Sequence, residues 1–230
     1  MQHTVIVGGS SGIGLSAAQH LLAVGHRVTI TGRGSDRLAA AKAAVPGVSA
    51  VVMDATKPDF SAIGALDHLV LALGSNKGMA PFATADLANV KASFEEKVFA
   101  HYATAQAALP HLRTGGSITF VAAVSAHAAM PGTSGIGAAN AAITALVPIL
   151  AVELKPTRVN AVSPGVIDTP WWTNVPADQK KAIFTELVNK TPVGRVGTAD
   201  DIAQAIWFLT ECTFMNGHTI ICDGGLRLTL

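Results

Sequence analysis

The strongest constraint on this chain lies in its first fourteen residues. Thr4-Val5-Ile6-Val7 runs straight into Gly8-Gly9-Ser10-Ser11-Gly12-Ile13-Gly14. The four β-favouring or apolar residues make a buried strand. The glycines at 8, 12 and 14 allow a tight turn, close backbone approach to a phosphate, and close packing of the helix that follows. That helix is expected from Ile13 to Val24. Its N-terminal N–H groups point at the turn, where an anion would sit.

Strand and helix patterns alternate along the rest of the chain. Strands are expected at Val28–Thr31, Ala50–Met53, His68–Leu73, Ser117–Val121, Arg158–Val162 and Thr219–Cys222. Helices are expected at about Ser35–Ala44, Asn89–His111, Ser134–Leu154 and Ala199–Thr210. Such alternation means parallel strands joined by right-handed crossovers, with helices on both faces of the sheet. The stretch Pro164–Pro176 lies between a strand and a helix and reads as a loop over the site. With 230 residues and no interdomain linker, one domain over 1–230 is expected.

Composition narrows the partners. Half the residues are hydrophobic, 13% are charged and the net charge is +1, with no basic run, which argues against nucleic acid. No apolar run reaches the ~18 residues of a membrane span; Ala141–Val152 is shorter and holds a Thr and a Pro. The first strand starts at Thr4, so no signal peptide is expected. Cys212 and Cys222 have no metal or redox spacing, and reduced thiols in a cytoplasm are the expectation. No metal site is expected.

Several markers occur in one order, and together they resemble the short-chain dehydrogenase/reductase family from end to end. Gly8-x-x-x-Gly12-Ile13-Gly14 is similar to its cofactor turn. Asp54 follows the third strand, Leu109-Pro110 ends a major helix, and Gly115-Gly116-Ser117-Ile118 enters the fifth strand. Arg158-Val159-Asn160-Ala161-Val162-Ser163-Pro164-Gly165, with Ile167 and Thr169, is similar to R-V-N-x-x-x-P-G-x-I-x-T, and Asp223-Gly224-Gly225 closes the tail. The resemblance implies a doubly wound sheet of strand order 3-2-1-4-5-6-7. It implies a nicotinamide dinucleotide across the carboxyl ends of the strands, held by Gly8, Ser10, Ser11, Gly12, Ile13, Gly14, Asp54, Ala55, Leu73, Gly74, Pro164, Gly165, Ile167 and Thr169. It also implies a homodimer or homotetramer built on the two long helices, whose apolar residues exceed what one buried face needs.

The departures are systematic. The family's catalytic Ser position holds Ala123, its Tyr position Ile136, its Lys position Asn140 and its Asn position Lys97. Neither Ile136 nor Ala123 has a proton or a hydrogen bond to offer. The only tyrosine in the chain, Tyr102, lies elsewhere. The segment between Asp54 and Asp67 is short, so the helix usual there is lost or reduced to one turn.

Lys97 and Asn140 read as an exchanged pair: a Lys reaching in from the opposite helix restores the charge, and Asn140 holds a ribose hydroxyl. The alternative is a surface Lys97 whose stem covers an apolar stripe with Phe94 and His101. As replacement proton donor, Lys97 ranks first. Ser125 would share the side of Ala123 if the strand continued. His101 reads as a core histidine and His127 as a solvated loop residue. Arg33, after Gly32, supplies a planar donor array for a 2′-phosphate, and Ser35 adds a hydroxyl, so NADP(H) is expected over NAD(H). Trp171-Trp172 either closes over the site or packs its own loop. The leading reading is an NADP(H)-dependent oxidoreductase on a small carbonyl or alcohol. The alternatives are a catalytically inactive NADP(H)-binding sensor or oligomeric scaffold and, more weakly, a lyase or isomerase without net hydride transfer.

Overall fold

Seven parallel strands form one sheet in the order β3-β2-β1-β4-β5-β6-β9 in the computed structural model, which describes all 230 residues, Met1–Leu230. The sheet strands are β1 (His3–Val7), β2 (Arg27–Gly32), β3 (Ser49–Val52), β4 (Leu66–Leu71), β5 (Leu112–Val121), β6 (Arg158–Pro164) and β9 (Thr219–Cys222). A separate two-stranded ladder of β7 (Ile167–Asp168) and β8 (Gly197–Thr198) intervenes, so the expected seventh strand is ninth in the chain. Helices α1 (Gly12–Ala23), α2 (Ser35–Ala44), α3 (Leu87–Phe94), α4 (Ala100–Ala108), α5 (Ser134–Glu153), α6 (Ala177–Lys190) and α7 (Ala199–Glu211) flank it.

A parallel sheet covered on both faces wants unbroken apolar strands. All five residues of β1 and all seven of β6 are buried. One core layer gathers Leu69, Phe120, Ile143 and Val147; the other gathers Ile6, Ile30, Ile202 and Ile206. From β1 the chain passes to β2 on one side and later to β4 on the other. The crevice at that reversal, above the carboxyl ends of β1 and β4, is where such sheets bind ligands.

Four expectations need correction. β4 ends at Leu71 rather than Leu73, because the chain leaves the sheet there to line the crevice. The single helix expected over Asn89–His111 is α3, a π-helical turn Glu95–Phe99, α4 and a 3-10 turn Leu109–His111. Asp86 caps its start by accepting from the Ala88 N–H. The strand expected at Ser117 begins at Leu112, with a register shift against β4. Finally, α5, at 20 residues, is long and apolar enough to cross a membrane by length and composition. Its inner face, with Ile136, Ile143 and Val147, is buried in the domain core. Between Asp54 and Asp67 there are only turns and no helix.

Candidate active site

The cradle is built by backbone. Gly8 has φ +83°, and a Cβ there would stand 2.5 Å from the Ala72 carbonyl oxygen at the end of β4. Gly12 has φ +52°, with Thr169 of the overhanging loop 3.3 Å from where its Cβ would be. Ser11, at the N-cap of α1, makes no side-chain cap bond, and no acid stands in the first turn. The first N–H groups of α1 therefore face the turn unpartnered by side chains, as anion binding requires.

Two adjoining cavities extend from this turn and share Ala72, Leu73 and Gly74. The first, about 210 Å³, is lined by Gly8, Ser10, Ser11, Arg33, Asp54 and Ala55, and also by Arg37, Thr56 and Glu96. Asp54 accepts from both the backbone N–H and the hydroxyl of Thr56, and these bonds hold its carboxyl below the usual range, with Arg33 adding to the effect. Gly32 leaves open the space beside the Ser10 hydroxyl, 3.3 Å from where a Cβ would be. Ser35 lies outside the cavity walls, exposed, its hydroxyl donating to Asp36.

The second cavity, about 280 Å³, is mainly apolar. Ile13, Leu73, Gly74, Pro164, Gly165, Ile167 and Thr169 border it, together with Lys97, Ser125, Asn140 and the two substituted positions Ala123 and Ile136. Met79, Met130, Trp171 and Trp172 complete its outer wall. A wider groove of about 850 Å³ runs along the outside of the same loop, from Asp168 to Lys180. No strand end of the main sheet reaches it, so the inner cavity is the candidate site.

Lys97 is buried rather than solvated, at 4% exposure. Its ammonium donates to the carbonyl of Leu73 at 2.8 Å and of Val121 at 3.0 Å. These are the carbonyls left over where β4 and β5 diverge. Burial alone pushes its pKa down to about 7. The π turn changes the register expected between Phe94, Lys97 and His101; such bulges recur at functional sites. His101 is a core residue, as its helical position suggested, with Nδ1 at 2.6 Å from the Lys97 carbonyl and Nε2 at 3.1 Å from that of Leu71.

Asn140, also buried, donates from Nδ2 to the Ser125 hydroxyl at 3.2 Å and to the Ile136 carbonyl at 3.0 Å. Its Oδ1 is buried without a partner, a cost that a donor on a bound ligand would remove. Ser125 comes to the cavity by another route than the one expected. The strand stops at Val121, and a 3-10 turn, Val124–Ala126, turns Ser125 toward Asn140. Its hydroxyl accepts from Asn140 and donates to no protein group. His127 is exposed beyond this turn and lines neither cavity.

The two tryptophans serve both readings given to them. Trp171 donates to the Ser75 carbonyl at 3.2 Å and Trp172 to that of Ile167 at 3.0 Å. Their rings meet edge to face at 4.8 Å, and Trp172 packs on Phe184 of α6 at 5.1 Å. Sequence reading missed Arg37, Thr56, Met79 and Met130. Arg37 had a signal, four residues after Arg33 at the start of a helix. The two methionines had none, because they come from loops that only the fold brings together.

A glycine turn at the switch point, an open helix N-terminus and an unpaired Asn140 oxygen deeper in fit a dinucleotide laid across the sheet edge. The protein is therefore of the doubly wound, dinucleotide-dependent class. Within that class, residues 7–227 match the family model described as enoyl-(acyl carrier protein) reductase. The chain belongs to the short-chain dehydrogenase/reductase family of oxidoreductases. It is 33% identical to the putative ketoacyl reductase 2 of the granaticin polyketide synthase of Streptomyces violaceoruber, over 97% of this chain and 95% of that protein. It is 31% identical to the bovine (Bos taurus) 3-oxoacyl-[acyl-carrier-protein] reductase, over 98% of each. Among solved structures, a small-chain dehydrogenase in complex with NADPH superposes with a TM-score of 0.85 at 30% identity, over 99% of each chain. A short-chain oxidoreductase from Pseudomonas aeruginosa PAO1, described as containing an atypical catalytic center and with NADPH bound, gives 0.86 at 27% identity, over 98% of this chain and 96% of that one.

Proposed function

We propose that this protein is an NADP(H)-dependent oxidoreductase acting on a small carbonyl or alcohol through a rebuilt active site. The observation that carries the reading is the continuous path from the glycine turn to the buried Lys97 and Asn140 and the half-buried Ser125. When bound, the nicotinamide supplies or accepts the hydride. The chain's own residues do the rest. Asn140 Oδ1 and, when Lys97 is protonated, its third N–H are free to hold the nicotinamide ribose. Ser125, fixed as an acceptor by Asn140, has its own O–H left to donate to a substrate oxygen. Ile136 and Ala123 shape the wall and exclude water. The NADPH-bound short-chain oxidoreductase of Pseudomonas, described as containing an atypical catalytic center, supports the reading of an oxidoreductase with an altered centre. Cys212 and Cys222, both free, fit a reducing cytoplasm.

Arg33 and Arg37 at the rim of the smaller cavity support NADP(H) over NAD(H). A charge-assisted hydrogen bond contributes about 1.5–3 kcal/mol, roughly ten- to a hundredfold in affinity. Arg33→Ala is expected to weaken NADPH by that factor and leave NADH nearly unchanged, measured by titration calorimetry. Equal weakening of both would show that Arg33 does not read the phosphate.

Assembly through α4 and α5 is the second part of the reading. Phe99 and Tyr102 are about half exposed on one stretch, and Ile149 is about half and Val152 mostly exposed on the other. A symmetric dimer or tetramer would cover them. Light scattering at micromolar concentration should return a multiple of 23.5 kDa; a monomer would contradict it.

A further inference from the structure

The π turn Glu95–Phe99 serves both cavities. Lys97 reaches the inner one, and its neighbour Glu96 lines the outer one. Successive helix residues point in different directions, so one turn presents an ammonium to one cavity and a carboxylate to the other. The carboxylate is held in place. Ser75, on the loop after β4, donates its hydroxyl to Glu96 Oε2 at 2.5 Å. The Lys77 N–H donates to that same hydroxyl oxygen at 3.0 Å, which leaves the hydroxyl proton for Glu96. The Ser75 carbonyl accepts from the Trp171 indole, so the serine is pinned on its backbone side as well. Oε1 of Glu96 meets no donor of the protein, and the residue takes part in no ion pair.

Such a carboxylate needs a reason in a cavity that would hold a polyanion. Arg33 and Arg37 offer donors to one phosphate, and the glycine turn with the start of α1 offers N–H groups to others. Glu96 can only accept, and beside a phosphate it would repel. It is matched instead to a neutral donor. The adenosine half of the dinucleotide has two, the adenine amino group and the ribose hydroxyl beside the 2′-phosphate. The cavity has two carboxylates to meet them, Asp54 and Glu96. Their places divide the work. Asp54 follows β3, the outermost strand on that side of the sheet, and is engaged with Thr56. Glu96 is tied to Ser75, which lines the inner cavity, so it stands where the two cavities join. A dinucleotide with its nicotinamide in the inner cavity has its adenine at the far end and its adenosine ribose nearer the junction.

We infer that Glu96 binds the cofactor, accepting the 3′-hydroxyl of the adenosine ribose on Oε1, and that Ser75 is the residue that positions the carboxylate. This rests on the NADP(H) reading above.

The test uses half of the cofactor and needs no turnover. Adenosine 2′,5′-bisphosphate carries the base, both phosphates and the 3′-hydroxyl; its 3′-deoxy analogue lacks only that hydroxyl. In titration calorimetry the wild type should bind the first about ten- to a hundredfold more tightly, the factor that a hydrogen bond to a charged group supplies. Glu96→Ala should bind both nucleotides alike, at the lower affinity. Glu96→Gln, whose amide oxygen still accepts, should keep part of the preference. Ser75→Ala should narrow the preference, and the double variant should lose no more than Glu96→Ala alone, because the two side chains act as one unit. Equal affinity of the wild type for the two nucleotides overturns the assignment, and this comparison stands even where a variant fails to fold. So does a preference that survives in Glu96→Ala, or tighter binding of the bisphosphate by that variant, which would make the carboxylate merely repulsive. Binding of neither nucleotide to the wild type would instead remove the NADP(H) reading on which the assignment rests.

Discussion

Replacing Lys97 by Met is expected to flatten the pH dependence of stability between pH 7 and 10.5 and to weaken NADPH binding in the same variant. The sign follows from burial. In the fold, Lys97 titrates near 7, against an ordinary 10.5. Between those values the unfolded chain binds a proton that the folded chain does not, so unfolding free energy rises with pH. One pKa unit corresponds to about 1.4 kcal/mol, so the wild type should gain up to about 5 kcal/mol across the window. Met fills the same apolar channel and carries no proton. Its stability curve should lack that slope, read as the difference in urea midpoint between pH 7 and 9. Parallel curves for the two proteins would mean that Lys97 is solvated after all. Loss of NADPH affinity should accompany the change. Exchanging both residues, Lys97→Asn with Asn140→Lys, should retain more binding than either single change, since groups sharing one site are not additive.

The second large effect is expected in acid, in the amino-terminal half of the central strand β4. His68 donates or accepts at Nδ1 with the Ser117 hydroxyl at 2.8 Å, its Nε2 is buried without a partner, and the His26 ring lies 5.7 Å away. Burial, then the neighbouring His26 and Arg158, lowers its pKa to about 4. His101, buried beside Lys97, is lowered to about 3. Both fold as neutral rings. Their stabilisation is complete above pH 6.5, where the unfolded chain is also neutral, and is lost as pH falls from 6.5 toward 4 and 3. Each should remove about 3–5 kcal/mol across its window. A typical domain has 5–15 kcal/mol in total, so cooperative unfolding near pH 4–5 is expected. Thermal melts of His68→Gln should fall less steeply over that range. A slope identical to wild type would show that the folded chain protonates His68 without penalty.

The glycine turn, the alternation of elements and the order of markers made the sheet and the cradle legible in the sequence. These features are local: a strand, a turn and a helix start are written within about ten residues, and their physics is backbone geometry. That a lysine stands at 97 and an asparagine at 140 was legible too, as a count of positions. That a lysine at 97 is buried was not legible. The π turn rotates it inward, and β4 and β5 diverge there to leave the carbonyls of Leu73 and Val121 in need of donors.

Ser125 shows the same division. Its identity could be read, but its path into the cavity depends on a turn that replaces the end of a strand. Met79, Met130 and Arg37 belong to separate segments whose convergence no spacing encodes. By itself the sequence determined the doubly wound fold, the glycine turn, the arginines at 33 and 37, and side chains without a hydroxyl at 123 and 136, because each is a property of residue type at a short separation. The tertiary structure alone decided which polar groups are buried, which are left unpaired, and what the cavity wall is made of. Burial and pairing arise only when distant segments meet and water leaves.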